Sequence, residues 1–202
     1  MNTAIDLPGI RIITVSGRIG AGSTSLAKNL AKTLSWKHIE GGEIFWEEVR
    51  RKRDLATKDT HLRPDEEDLL FDQQLKQILH EEKHLILETK LAGFLAQEMP
   101  DIYKIVTICE DETGEDQPEI RINRLVNREK VSINEAKIEV FEREKNDLEK
   151  WRKLYTKGDK SWIYWDKKYF DLVINTYSHN ARESLELVLK VIGFNGKGST
   201  IK

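Results

Sequence analysis

An α/β architecture, three layers with a five-stranded parallel sheet between helices, is what this 202-residue chain predicts. Two observations carry the prediction. Five short runs rich in β-branched and aliphatic residues alternate with stretches whose apolar residues recur at helical spacing. The first run, with Ile10, Ile12, Ile13 and Val15, is almost continuously apolar, as in a strand covered on both faces, and it passes through a glycine-rich turn into an amphipathic stretch.

Met1 to Gly9 reads as a lead-in closed by Pro8-Gly9. The first strand, the glycine turn and a helix bring the chain to about Ser35, and Leu26, Ala27, Leu30, Ala31 and Leu34 form the inward face of that helix. Trp36 to Glu40 is a short second strand. Gly41-Gly42 breaks it before a helix containing Glu43, Phe45, Trp46 and Val49, and the basic cluster Arg50-Arg51-Lys52-Arg53 reads as a solvated helix end. Pro64 opens the next helix, Asp65 to about His80, with acids in its first turn and Leu69, Leu70, Leu75, Ile78 and Leu79 on one side.

His84 to Thr89 is the third strand and ends on Glu88, at the carboxyl edge where parallel sheets meet their ligands; Lys90 to about Glu98 is its helix. Tyr103 to Cys109 is the fourth strand, and the acidic segment 111–119 behind it is expected as an exposed loop and nothing more. Glu119 to Asn127 is helical and puts Arg121, Arg124 and Arg128 on one face. Ser132 to about Tyr155 is a long charged helix with Arg143 near its middle; burying little, it is expected to be mobile or to pack in one state only. After an irregular aromatic stretch, Phe170 to Thr176 is the last strand. Asn180 and Glu183 cap the closing helix, Leu185, Val188, Leu189 and Ile192 pack inward, and Gly193 ends it. Residues 196–202 read as a flexible tail. The segments 41–83 and 128–168 exceed plain crossovers and are expected as helical insertions over the carboxyl edge, within a single domain spanning 1–202.

Composition narrows the function classes. Thirty-three basic against 35 acidic residues, a net charge of -2, give no global attraction to nucleic acid or anionic membrane. The single cysteine, Cys109, excludes a disulfide framework and a cysteine zinc site, and reads as a small buried hydrophobe. No run approaches the roughly 18 apolar residues of a membrane span, so a soluble cytoplasmic protein is expected. His38, His61, His80, His84 and His179 show no ligand spacing and read as surface or core residues.

The turn from Ser16 to Ser25 carries the chemistry. Gly17, Gly20 and Gly22 let the backbone bend tightly with its N–H groups inward, and the helix beginning near Thr24 adds the positive end of its dipole, so an anion belongs there. The Gly-x-x-x-x-Gly-Lys-Ser/Thr template is met at Gly17, Gly22 and Thr24, with Ser23 in the lysine position. Glycine turns also join strands to helices in proteins that bind nothing; the buried strand before this one and the amphipathic helix after it favour phosphate binding.

Gly17-Arg-Ile-Gly-Ala-Gly-Ser-Thr-Ser25, Gly42-Glu-Ile-Phe45 and Leu87-Glu-Thr-Lys-Leu-Ala-Gly93 together resemble the cytidylate kinases, most closely the archaeal-type branch of these nucleoside monophosphate kinases. Arg121-x-x-Arg124-x-x-x-Arg128-Glu129, Arg143-Glu144 and Phe170-Asp-Leu-Val-Ile-Asn-Thr176 follow the family's later pattern in order, so the resemblance spans residues 10–193. In that branch a threonine already occupies the lysine position, which makes Ser23 a conservative change. Four departures stand out: Trp46 for an arginine expected to hold the acceptor monophosphate, Thr89-Lys90 for Gly-Arg, Lys150-Trp151 for Arg-Tyr, and a longer acidic segment at 111–119.

The resemblance implies a P-loop fold with a nucleotide-binding insertion and a lid, ATP and Mg²⁺ as cofactors, and transfer of phosphate from ATP to a nucleoside monophosphate, CMP to CDP. The donor phosphates would lie on Gly17, Arg18, Ile19, Gly20, Ala21, Gly22, Ser23, Thr24 and Ser25, with the Thr24 hydroxyl on Mg²⁺. Arg124, Arg128 and Arg143 would close over the transferred group. The acceptor would meet Gly42, Trp46, Glu88 and Lys90, although Trp46 also fits a core position and Lys90 an exposed helix start. Two alternatives remain at this stage: a P-loop kinase for another small acceptor, and a silent nucleotide-binding protein. The expected partners are nucleotide substrates, without nucleic acid or membrane, in a monomer or weak dimer.

Overall fold

The computed structural model describes residues 3–42 and 64–194. The expected helix with Glu43, Phe45, Trp46 and Val49, the basic cluster 50–53 and the tail 196–202 lie outside the described residues. Among the described residues five strands form one sheet: β1 (Ile12–Gly17), β2 (Lys37–Glu40), β3 (Leu85–Glu88), β4 (Ile102–Ile108) and β5 (Leu172–Asn175). Their order is β2-β3-β1-β4-β5 and every neighbouring pair is parallel, so all carboxyl ends share one edge. The central strand β1 is buried at each of its six residues, as its continuous apolar run requires.

The α-helices among the described residues are α1 (Ser23–Leu34), α2 (Asp65–Glu81), α3 (Ala92–Leu95), α4 (Pro118–Glu129), α5 (Ile133–Lys137), α6 (Glu144–Thr156) and α7 (Ala181–Val191). The pleat of the strands divides the core in two. Ile13, Val15, Ile86, Ile105 and Ile174 pack with Leu26, Ala27 and Leu30 of α1 and Val188 of α7. On the other face Ile12, Leu85, Leu87 and Ile102 meet Leu75 and Leu79 of α2, Ala92 and Leu95 of α3, and the aromatic residues Trp162 and Tyr164. The Asn180–Glu183 capping box starts α7: the Asn180 side chain accepts from the Glu183 N–H, and the Glu183 carboxylate from the Asn180 N–H. No helix among the described residues is long and apolar enough to cross a membrane.

Three expectations are corrected. The helix after β3 is one turn, Ala92–Leu95, because Pro100 leaves little room before β4 and disfavours helical backbone at the residue preceding it. The long charged helix is three pieces, α5, a π-helical turn at Ile138–Arg143, and α6, and it is anchored. Ala136, Val140, Glu144, Asp147 and Trp151 form its buried stripe. Ala136 and Val140 pack on Ile122 and Leu125, whereas the two acids interrupt the apolar pattern and are buried because Arg18, Arg121 and Lys90 stand opposite. The acidic segment is more than an exposed loop, since Asp116 pairs with Arg18 at 3.1 Å and with Arg121 at 2.7 Å.

Candidate functional site

The phosphate loop lies at the carboxyl end of β1. Gly20 (φ 76°) and Gly22 (φ 95°) adopt left-handed backbone that non-glycine residues rarely hold. A Cβ on Gly20 would also stand 2.6 Å from the Arg121 carbonyl oxygen, so this turn has no space for any other residue. Gly22 is the N-cap of α1 and no side chain caps the helix, which leaves its first-turn amides facing the cleft for an anion.

Glu88 ends β3 beside the loop and is buried. Its Oε1 accepts from the Thr24 hydroxyl at 2.6 Å and from the Ser23 hydroxyl at 3.3 Å, and its Oε2 lies 3.1 Å from His38 Nε2. A carboxylate with two hydroxyls offers oxygen donors only, the set that suits Mg²⁺, which takes one or two protein ligands and completes its shell with water and phosphate. Among the described residues no cluster of three His, Cys, Asp or Glu forms an all-protein metal cage.

The anchored helix α6 reaches the loop through Glu144. Its Oε2 accepts the Ile19 N–H at 3.2 Å, its Oε1 is 2.5 Å from Arg18 Nη2, and Arg121 Nη1 donates to its Oε2 at 3.0 Å. Arg121 also donates to the Ile19 carbonyl at 2.8 Å, and the Arg18 guanidinium lies over the Trp165 ring at 4.5 Å. Two arginines and two acids, Asp116 and Glu144, thereby close a buried network on the back of the loop. One turn further, Asp147, 1% exposed, accepts from Lys90 Nζ at 2.6 Å. Burial holds the Lys90 ammonium below the ordinary lysine value, with Asp147 opposing the shift. The same burial, next to Glu144 and Asp147, pushes the Tyr164 phenol well above its usual value.

Two cavities flank the loop. The first, about 410 Å³, is lined by Gly22, Ser25, Leu26, Arg124, Arg128 and Ser184 among others. The second, about 510 Å³, runs from Gly17 through Thr24 to Glu88 and on to Gly42, Asp72, Lys90, Arg143 and Trp151. Arg128 lines both, and its Nη2 is 2.5 Å from Glu129; Arg143 lines the second and is 2.6 Å from Glu139. Arg124 is elsewhere: it donates at 2.7 Å to both the hydroxyl and the carbonyl of Thr176, at the wall of the first cavity. The arginine face of α4 is therefore split three ways, and of its three arginines Arg128 is the one that lines both cavities. Over the second cavity α6 meets α2: Lys150 pairs with Asp68, and the Tyr155 hydroxyl with Asp72. Trp46 lies outside the described residues.

Sequence reasoning missed Arg121 as an anchor, Asp116, Asp147 and His38. The spacing of Glu144, Asp147 and Trp151 on one helical face was the available signal for the α6 residues. His38 had none, since its partner is on another strand.

No protein-family model matches the chain. It is similar to the cytidylate kinase of Methanosarcina barkeri, 32% identical over 187 residues that cover 89% of this chain and 94% of that protein. The cytidylate kinase of Haloarcula marismortui is 29% identical over 184 residues, 90% of this chain and 88% of the relative. Among solved structures, an uncharacterized protein from Eubacterium ventriosum superposes with a TM-score of 0.61 at 17% identity, covering 90% of this chain and 98% of that one. Shikimate kinase from Acinetobacter baumannii in complex with shikimate gives a TM-score of 0.52 at 17% identity, over 91% and 93%. At that identity the structural likeness is one of fold.

Proposed function

The chain belongs to the cytidylate kinase family, and on that premise we propose that it transfers the γ-phosphoryl group of ATP to a nucleoside monophosphate, converting CMP to CDP. One observation carries the reading: a glycine loop whose Thr24 hydroxyl sits 2.6 Å from the buried Glu88 carboxylate, at the carboxyl edge of the central strands and between two cavities. In this reading the donor nucleoside occupies the first cavity, its phosphates lie on the amides of residues 17–25, and the acceptor enters the second.

Phosphoryl transfer asks a protein mainly to align two anions and to neutralise charge on the moving group. Thr24 and Glu88 would hold Mg²⁺, which when bound would neutralise part of the charge on the donor phosphates. Ser23 supplies no charge, so Arg128 and Arg143 must exchange Glu129 and Glu139 for the equatorial oxygens of the transferred group. The Lys150–Asp68 and Tyr155–Asp72 contacts between α6 and α2 stand at the second cavity, where closure on substrate would exclude water that otherwise takes the phosphoryl. Nucleotides are the expected partners and the cytoplasm the expected compartment.

A second reading, a kinase for a small hydroxyl acceptor, is favoured by the Lys90–Asp147 pair: an ammonium already matched to a buried carboxylate has less to offer an acceptor phosphate. A panel of nucleoside monophosphates, nucleosides and polyols with ATP and Mg²⁺, followed as ADP release, separates the two. Turnover with CMP supports the first; turnover only with an uncharged acceptor replaces it with the second. ATP binding without turnover of any acceptor would leave a silent nucleotide binder and end both.

A further inference from the structure

Glu88 is fixed at both oxygens, and the two sides differ in origin. Oε1 faces Ser23 and Thr24, at the start of α1. Oε2 faces His38 Nε2 at 3.1 Å, from β2, across the sheet. The register explains the meeting: His38 is opposite Ile86 and Glu40 opposite Glu88, so His38 and Glu88 share one face of adjacent strands, one pleat apart. The His38 side chain is 17% exposed and that of Glu88 8%, so the bond is largely shielded from competing water. The direction of the bond follows from chemistry, because an ionised carboxylate only accepts and Nε2 must therefore carry the hydrogen.

We infer that His38 is a positioning residue for the cation end of the phosphate site: by holding Oε2 it keeps Oε1 of Glu88 aimed at the Thr24 hydroxyl. The inference rests on the proposed phosphoryl transfer and on Mg²⁺ at Thr24 and Glu88. Without the imidazole the carboxylate has only contacts on its loop side, and its terminal torsion, which is intrinsically broad, is free to turn Oε1 away. Outer partners of ligating groups matter in this way, their removal costing about 10- to 100-fold in metal affinity. His38 itself lines neither cavity; it acts through Glu88, which lines the second.

The test is the Mg²⁺ requirement of ADP binding, followed by calorimetry in wild-type protein and in the variants H38L, H38Q and H38N. Gln places an amide N–H where Nε2 stands, whereas Asn places one at the Nδ1 position and cannot reach Glu88. H38L and H38N should raise the Mg²⁺ concentration for half-maximal enhancement about tenfold or more. H38Q should stay within about threefold of wild type, and ADP affinity in EDTA should be the same in all four. A merely structural role for His38 would not separate Gln from Asn. Should H38L fail to fold, the contrast of H38Q with H38N decides. If H38N keeps the wild-type Mg²⁺ requirement, or H38Q is as impaired as H38N, the inference is wrong while the kinase reading stands. If wild-type ADP binding ignores Mg²⁺, the cation assignment falls and takes this inference with it.

Discussion

The phosphate loop takes its shape from neighbours in the chain, Gly20 and Gly22 turning β1 into α1 through left-handed backbone. The wall of the second cavity is held by groups far apart in sequence: Lys90 on Asp147, Lys150 on Asp68, Tyr155 on Asp72. The first region is shaped by its glycines and then clamped at Ile19, whose N–H meets Glu144 and whose carbonyl meets Arg121. The second is governed by buried charges, whose desolvation is offset only while each partner is present. Glu144 joins the two, taking a loop amide with a carboxylate that also holds Arg18 and Arg121. Both sides lean on α6, the donor loop through Glu144 and the acceptor wall through Asp147, Lys150 and Tyr155 together.

The largest expected effect breaks the acceptor side. Asp147→Ala leaves the half-buried Lys90 ammonium without its buried carboxylate and should lower stability by about 3–5 kcal/mol in urea denaturation. The double change Lys90→Met with Asp147→Leu should regain most of that loss, since it removes the charge along with its partner. An Asp147→Ala protein as stable as wild type would erase the contrast between the regions.

Next comes chemistry. Arg128→Ala or Arg143→Ala should each cut transfer several hundredfold, about 3–4 kcal/mol, by loss of a charged donor to the moving group. ATP affinity should be kept in both. Normal steady-state turnover in both variants would show that neither closes over the phosphoryl group.

Gly20→Ala sharpens the donor side. Its Cβ meets the Arg121 carbonyl in a backbone conformation that disfavours it, at a cost of about 1–3 kcal/mol that should fall on ATP binding. Calorimetric titration with ATP in both proteins checks this, and equal affinities would mean that the loop adapts.

The smallest effect serves as reference, at a pair distant from the cleft. The Arg11 hydrogen bond, opposed by slight burial, holds the Asp101 carboxyl below its usual value. A depressed folded-state pKa gives stability that is present above the ordinary aspartate range and lost as pH falls through the folded value. Asp101→Asn should therefore lower the unfolding free energy in urea at neutral pH by less than about 1 kcal/mol for a half-exposed pair. The difference from wild type should vanish in acid; a difference that persists there would assign the effect to packing.

Much of this was legible in the chain. The run around Ile12, Ile13 and Val15 could be stable only as a buried strand, and three glycines before an alanine- and leucine-rich stretch could serve only a tight turn into a helix. The Asn180–Glu183 box was equally plain, since capping is a relation between residues three apart. The stripe of α5 and α6 was hidden because its acids look solvated until their cations are placed opposite. Arg124 looked like its neighbours on α4 and differs from Arg128 through Thr176, which directly follows β5.

By itself the sequence determined the five strands, the glycine turn and the family pattern, because each is set by sterics, periodicity or spacing within a short window. Tertiary structure alone decided which cations meet which acids, that His38 backs Glu88, and that α6 is docked. Ionic contacts have no period and act over a few ångströms of space, so their pairing exists only once the sheet has set the register and the helices have crossed it.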